Sequence, residues 1–127
     1  MKQIDKELLD SLFEQAKECE RKRTNFDMRT SYEDQSQRML NALLPGTEVP
    51  IHRHEDTSES VLCLCGKLYE VIYEEFVERE SIFKEVDRIL LCPAEGKYGC
   101  QVPKGAWHTI EVLEPSVIFE AKDGAYK

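Results

Sequence analysis

Helical periodicity occurs once in this chain and strand-like alternation occupies nearly all the rest, and that imbalance restricts the architecture more than any other feature. From Asp5 to about Arg21, the residues Leu8, Leu9, Leu12, Phe13, Ala16 and Cys19 recur at spacings of three and four, which predicts one helix with one apolar stripe. Asp5 suits its N-cap, and Ile4 can staple onto Leu9 across that cap. Beyond it come short segments of strand character: "TNFDMR", "SQRMLNALL", "EVPIHRH", "ESVLCLC", "KLYEVIYEEFV", "SIFKEVDRILLC", "YGCQVP", "WHTIEVL" and "SVIFEAK". Turn signals at Pro45-Gly46, Gly66, Pro93, Gly96, Gly105 and Glu114-Pro115 separate them. With no second helical period to supply crossovers, the pattern predicts an antiparallel sandwich or barrel rather than a doubly wound sheet.

A chain of 127 residues is long enough for one compact domain and short for two. Its net charge of −8 would repel a phosphate backbone, and no basic cluster is interleaved with aromatics, so nucleic acid is excluded as a partner. No apolar run reaches membrane-spanning length, and the N-terminus is too charged for a secretory signal. The cysteines Cys19, Cys63, Cys65, Cys92 and Cys100 are odd in number and irregular in spacing, which fits reduced thiols and a cytoplasmic location. None forms a C-x-x-C pair. The acidic run Glu74–Glu80 reads as a solvated hairpin tip.

The chemistry concentrates in "GTEVPIHRHEDTSESVLCLCG", Gly46 to Gly66. On a strand, His52 and His54 project from one face, about 6–7 Å apart along the chain. The polar residues after His54 can turn the chain so that Glu59, opening the next strand, returns opposite them. The third histidine, His108, follows a turn at Pro103 and Gly105. From the residues alone these histidines are either ligands converging on one ion or hydrogen-bonded strand residues, and both readings stand.

The spacing of Gly46, His52, His54, Glu59 and Gly66 resembles the first motif of the cupin superfamily at every position. Pro103, Gly105 and His108 are similar to the second motif, with Lys97 at its leading glycine position, Gly96 one residue early, and Val112 in place of its closing asparagine. The resemblance implies a mainly β, single-domain cupin double-stranded β-helix (a jelly-roll barrel) with an N-terminal α-helix, divided as residues 1–23 for the helix and 24–127 for the barrel. It also implies that His52, His54, Glu59 and His108 hold one divalent transition metal. Over most of its length, in "RKRTNFDMR", "QRMLNALLPGTEVPIHRHEDTSES" and "VPKGAWHTIEVLEPSVIFEAKDGAY", the chain resembles the WbuC family of cupin-fold metalloproteins found among bacterial O-antigen and polysaccharide gene sets. Two departures stand out: Arg29 replaces an expected histidine, and the chain stops at Lys127 without a longer tail.

Three imidazoles and a carboxylate suit Fe, Mn, Ni, Co or Zn, and affinity order does not choose among them. Cys63 and Cys65 share parity with Glu59, but Cys63 lies about 13 Å along an extended strand from it, so these thiols are read as small core hydrophobes. Arg38 shares parity with Leu40, Ala42 and Leu44, a face expected to be buried, and is read as a substrate-anion contact, against a pairing with a buried glutamate such as Glu120 or simple exposure after a bulge. Asn25 and Asp27, alternating on the preceding strand, are weaker substrate-contact candidates. Trp107 faces away from His108 by parity, beneath the helix or at a subunit contact. Three function classes follow: a metal-dependent enzyme (isomerase, lyase or dioxygenase type) acting on a small polar, carbohydrate-related molecule such as a sugar or nucleotide sugar; a non-catalytic sugar-binding or sensor cupin with a structural metal; and a metal-free sugar epimerase or isomerase. A homodimer is a family-level expectation.

Overall fold

The computed structural model describes residues 1–76 and 82–124. The end of the acidic run, residues 77–80, and Lys127 lie outside the described residues. Helix α1 spans Lys6–Glu18, and the Asp5 carboxylate accepts from the Leu8 N–H at 2.9 Å, as an N-cap does. Six strands follow: β1 (Arg23–Asp27), β2 (Ser36–Leu43), β3 (Glu59–Phe76), β4 (Ile82–Leu91), β5 (Gly99–Val102) and β6 (Trp107–Asp123). They form one antiparallel sheet in the order β1-β2-β6-β3-β4, with β5 also paired to β3.

Several sequence boundaries fall differently from the sequence reading. "ESVLCLC" and "KLYEVIYEEFV" are one strand, β3, and "WHTIEVL" and "SVIFEAK" are one strand, β6. Gly66 and Glu114-Pro115 therefore mark a bend rather than a chain reversal. The β3–β6 register shifts between Cys63 and Cys65, between Cys65 and Lys67, and between Lys67 and Leu68. Gly66 sits there at φ +96°, with an added Cβ placed 2.3 Å from both the Pro115 carbonyl oxygen and Ser116 Oγ. Ser116 Oγ accepts from the Lys67 N–H and donates to the Glu114 carbonyl, so the irregular backbone stays satisfied. "EVPIHRH" is not a regular strand; His52 alone forms a bridge, to His108.

Two apolar clusters divide the structure. Val61, Cys63, Leu68, Leu91, Val112 and Ile118 fill one end of the barrel interior. On the other side of the sheet, Leu12 and Ala16 of α1 pack on Leu40, Ala42 and Val117. Consequently β2 is buried on both faces: the even positions Leu40 and Ala42 lie under the helix, and the odd positions Gln37, Met39, Asn41 and Leu43 line the interior. Cys63 and Cys65 share parity in sequence, yet the bulge sends Cys63 into the barrel core and Cys65 to the helix side. The motif departures serve packing. Gly96 supplies the left-handed turn closed by the Cys92–Lys97 bridge, and Val112 is buried in the core.

The bend gives a direct expectation. Gly66→Ala combines a positive φ with a backbone clash and should cost ~3 kcal/mol in denaturant unfolding. Gly105→Ala, also at positive φ but with nothing within 4 Å of an added Cβ, should cost only about 1 kcal/mol. Equal costs for the two variants would show that the bend does not depend on the close approach.

Candidate metal centre

The His52 bridge explains how two remote motifs meet. The His52 N–H donates to the His108 carbonyl at 3.0 Å, and the His108 N–H donates to the His52 carbonyl at 2.8 Å. Residues so paired project side chains from the same face, and the two imidazole centroids are 4.2 Å apart. His54, two residues on, stays on that face, with its carbonyl fixed by the Gly105 N–H at 2.8 Å. Thr109 Oγ1 donates to the Val49 carbonyl at 2.5 Å and holds the incoming segment against β6.

The three histidines each direct one ring nitrogen to a common region, with those atoms all within 4.8 Å of one another. The Nδ1 atoms of His52 and His108 lie 2.9 Å from the carbonyls of Pro50 and Ala106, an arrangement that turns Nε2 inward. Glu59 closes the fourth side: its Oε2 is 3.2 Å from His54 Nε2 and its Oε1 is 3.8 Å from His108 Nε2. Nevertheless neither His54 Nε2 nor His108 Nε2 is aligned for a hydrogen bond, and both are buried. Two buried nitrogens aimed at one point with no partner are costly, at about 1–3 kcal/mol each, unless something binds there. The donor set fits a divalent transition ion, and His52, His54 and His108 could hold one. Burial pushes His52 and His54 below the usual histidine range and so favours the neutral ligating form. Burial acts in the same direction on His108, but Glu59 outweighs it and holds that ring's pKa up; burial would raise Glu59, yet His108 and His54 keep its carboxyl below the usual range.

The centre opens on a cavity of about 1010 Å³. Its inner wall carries two more carboxyl groups, those of buried Glu70 and half-buried Glu120. Burial, with the Glu59 charge beside it, pushes each up to about 8. Glu120 stands beside Glu59, whose charge helps to raise it, and accepts from Asn41 Nδ2.

Of the substrate-contact candidates, Asn25 and Glu120 line this cavity. Arg38 does not. Its side chain is 45% exposed and pairs with Asp34 at 2.9 Å, because the even face of β2 lies under the helix and Arg38 sits past the helix's cover. Asp27 is engaged by Arg29 at 2.7 Å, away from the cavity wall. Trp107 packs edge-on against Phe83 at 5.1 Å, under the Arg53 guanidinium, rather than beneath α1. The sequence reading missed Gln37, Asn41 and Glu70. The alternation of Gln37 and Asn41 with Met39 and Leu43 was the available signal, hidden because both faces of β2 are buried.

The fold has known counterparts. TT1209 from Thermus thermophilus superposes with a TM-score of 0.65 at 21% identity, covering 98% of both chains. A cupin superfamily protein from Desulfitobacterium hafniense superposes at 0.59 and 16% identity, over 80% of this chain and 76% of that one. CapF, a capsular polysaccharide assembling protein of Staphylococcus aureus, superposes at 0.60 and 22% identity, over 83% of this chain and 28% of CapF. These likenesses identify the cupin fold. No curated protein matches the sequence.

Acid–base behaviour offers a check on the interior. Glu70 keeps its proton in the folded protein up to about 8, whereas the unfolded chain releases it near 4.5. The folded state then binds the extra proton, so metal-free protein should lose stability as pH rises across that interval. Denaturant titrations at intervals from pH 5 to 8.5 should show that decline, and Glu70→Gln should make it shallower, with Glu120, also pushed up to about 8, supplying the remainder. An unchanged slope in the variant would contradict a neutral buried Glu70.

A family described as "Domain of unknown function (DUF6016)" matches residues 4–83, which include α1, β1, β2, His52, His54 and Glu59, and this chain belongs to it.

Proposed function

We propose that this protein is a metal-dependent cupin enzyme in which His52, His54, Glu59 and His108 hold one divalent transition metal. Its substrate in this reading is a small polar, carbohydrate-related molecule of polysaccharide or O-antigen metabolism. The observation that carries the proposal is the convergence of three histidine nitrogens within 4.8 Å beside a buried carboxylate, with two of those nitrogens left without hydrogen-bond partners. When bound, such an ion supplies Lewis acidity toward a carbonyl or phosphoryl oxygen, or a bound water of lowered pKa. The chain's own part is to orient the ligands through the Pro50 and Ala106 carbonyls and to shelter a cavity large enough for a small molecule.

The carbohydrate setting is supported by the WbuC resemblance and by the fold shared with CapF, whose name records capsular polysaccharide assembly. In the same reading, residues 1–23 serve as a helical brace on a barrel of residues 24–127, Asn25 and Glu120 contact substrate, and two copies pair as a homodimer. Among the described residues no helix is long and apolar enough to cross a membrane.

Elemental analysis of protein purified without chelators tests the metal directly. About one transition metal per chain is expected in the parent, with loss in the His52→Ala/His54→Ala double variant. For Glu59→Gln, metal affinity should fall about 10- to 100-fold. Metal well below stoichiometric in the parent, or metal retained by the double variant, would overturn the proposal.

A further inference from the structure

We propose that Arg23 binds an anionic group, a carboxylate or a phosphate, of the molecule that occupies the cavity, so that the substrate is a charged sugar derivative rather than a neutral sugar. This rests on reading the cavity as a substrate site and adds the class of substrate it takes. The chain carries 25 acidic residues against 17 basic ones, so an arginine has many carboxylates to choose from. Arg29, Arg38, Arg53 and Arg88 each pair with one. Arg23, half-buried on the cavity wall, pairs with none among the described residues.

What Arg23 has instead is a mount. Its Nη1 donates to the Glu48 carbonyl at 2.8 Å and to Thr47 Oγ1 at 3.3 Å, and Thr47, itself buried, donates to the Arg21 carbonyl at 2.6 Å. Both acceptors are neutral oxygens, which orient the guanidinium without cancelling its charge. Its Nε and Nη2 make no hydrogen bond among the described residues. That pair of nitrogens forms the fork that matches the two oxygens of a carboxylate or phosphate. Arg29 uses the same edge to hold the Asp27 carboxylate.

Register sets the fork on the cavity side of β1. Arg23 is opposite Leu43, which is buried in the barrel interior, and Asn25, the next residue on that face, is opposite Asn41. The mount also ties Arg23 to the metal centre. Glu48 and Val49 are consecutive: Arg23 holds the first carbonyl, and Thr109, the neighbour of His108, holds the second. Glu120 is opposite Met39, four residues along β2 from Leu43 and about 13 Å away on an extended strand, so its carboxyl does not compete for the guanidinium. With Glu59 as its one anionic ligand, a divalent ion would leave the centre in positive excess, so the metal and Arg23 favour the same sign of ligand. The anion contact expected of Arg38 thus falls to Arg23.

Ligand-observed NMR titration of the full chain as purified tests this, with glucuronate, galacturonate, glucose 1-phosphate and glucose 6-phosphate as charged probes against neutral glucose and galactose. At least one charged probe should bind saturably and at least about fivefold more tightly than its neutral parent, and which kind binds identifies the anion. Arg23→Gln should weaken that probe about tenfold and leave the neutral sugar unchanged. A measurement on the parent protein needs no variant: the Arg23 Nε–H signal, assigned through bonds from its own backbone, should move with the charged probe and not with the neutral parent. No saturable binding of any charged probe, a neutral parent bound equally well, undiminished binding in Arg23→Gln, or a stationary Nε–H signal would each overturn the inference. Equal losses of charged and neutral ligands in Arg23→Gln would overturn it too, leaving Arg23 as a brace only. Arg23-dependent binding of a charged probe to parent protein that lacks metal counts against the metal centre and not against this subsite. Full metal with no charged probe bound counts against the subsite alone.

Discussion

The long pairing of β3 with β6 carries both ends of the candidate centre, and its curvature decides whether they meet. Glu59 pairs with Lys122 at one end of this ladder, and His108 pairs with Ile72 at the other, thirteen residues along β3. On a straight ladder that separation would be about 43 Å. In the folded chain the Glu59 carboxylate and the His108 ring stand 3.8 Å apart. The sheet must curl through nearly a full turn to achieve this, and the irregular register around Gly66 and Ser116 is where the bend is concentrated. A side chain at Gly66 would collide with the opposing backbone, so the residue type that permits the bend also permits the centre.

Closure of the barrel then sorts its interior by polarity. One end is filled by Val61, Cys63, Leu68, Val112 and Ile118, a dry cluster that anchors the fold through apolar burial. The other end sets the three imidazoles against the cavity together with the carboxyl groups of Glu59, Glu70 and Glu120 and the carboxamides of Gln37 and Asn41. Such groups are expensive to bury, and the structure offsets the expense only in part: Asn41 donates to Glu120, whereas His54, His108 and Gln37 each keep an unmatched atom. Stability is therefore surrendered at one end of the barrel, where ligands can restore it, and gained at the other. This division is common where a rigid scaffold supports a site.

How much of this could be read from the chain differs by feature. The helix was legible because Leu8, Leu12 and Ala16 repeat at the helical period and Asp5 caps it. The mainly β architecture followed from the lack of any second such period. Strand continuity was not legible: Gly66 and Glu114-Pro115 carry turn chemistry, yet opposing strands hold them as a bend inside long strands. The side taken by Arg38 was not legible either, because alternation reports which residues share a face and never what covers it. On β2 the covering of the even face is α1, a partner distant in sequence.

Local order along the chain thus determined the residue types at the centre, their spacing and the parity of His52 with His54, since these depend only on the strand repeat. The tertiary structure alone decided that Glu59 and His108 converge, that Arg38 turns outward, and that Gln37 and Glu70 face the cavity. Each of those depends on how a sheet with two buried faces curls and on which face the helix covers. Such outcomes are set by long-range packing, which no short window of sequence contains.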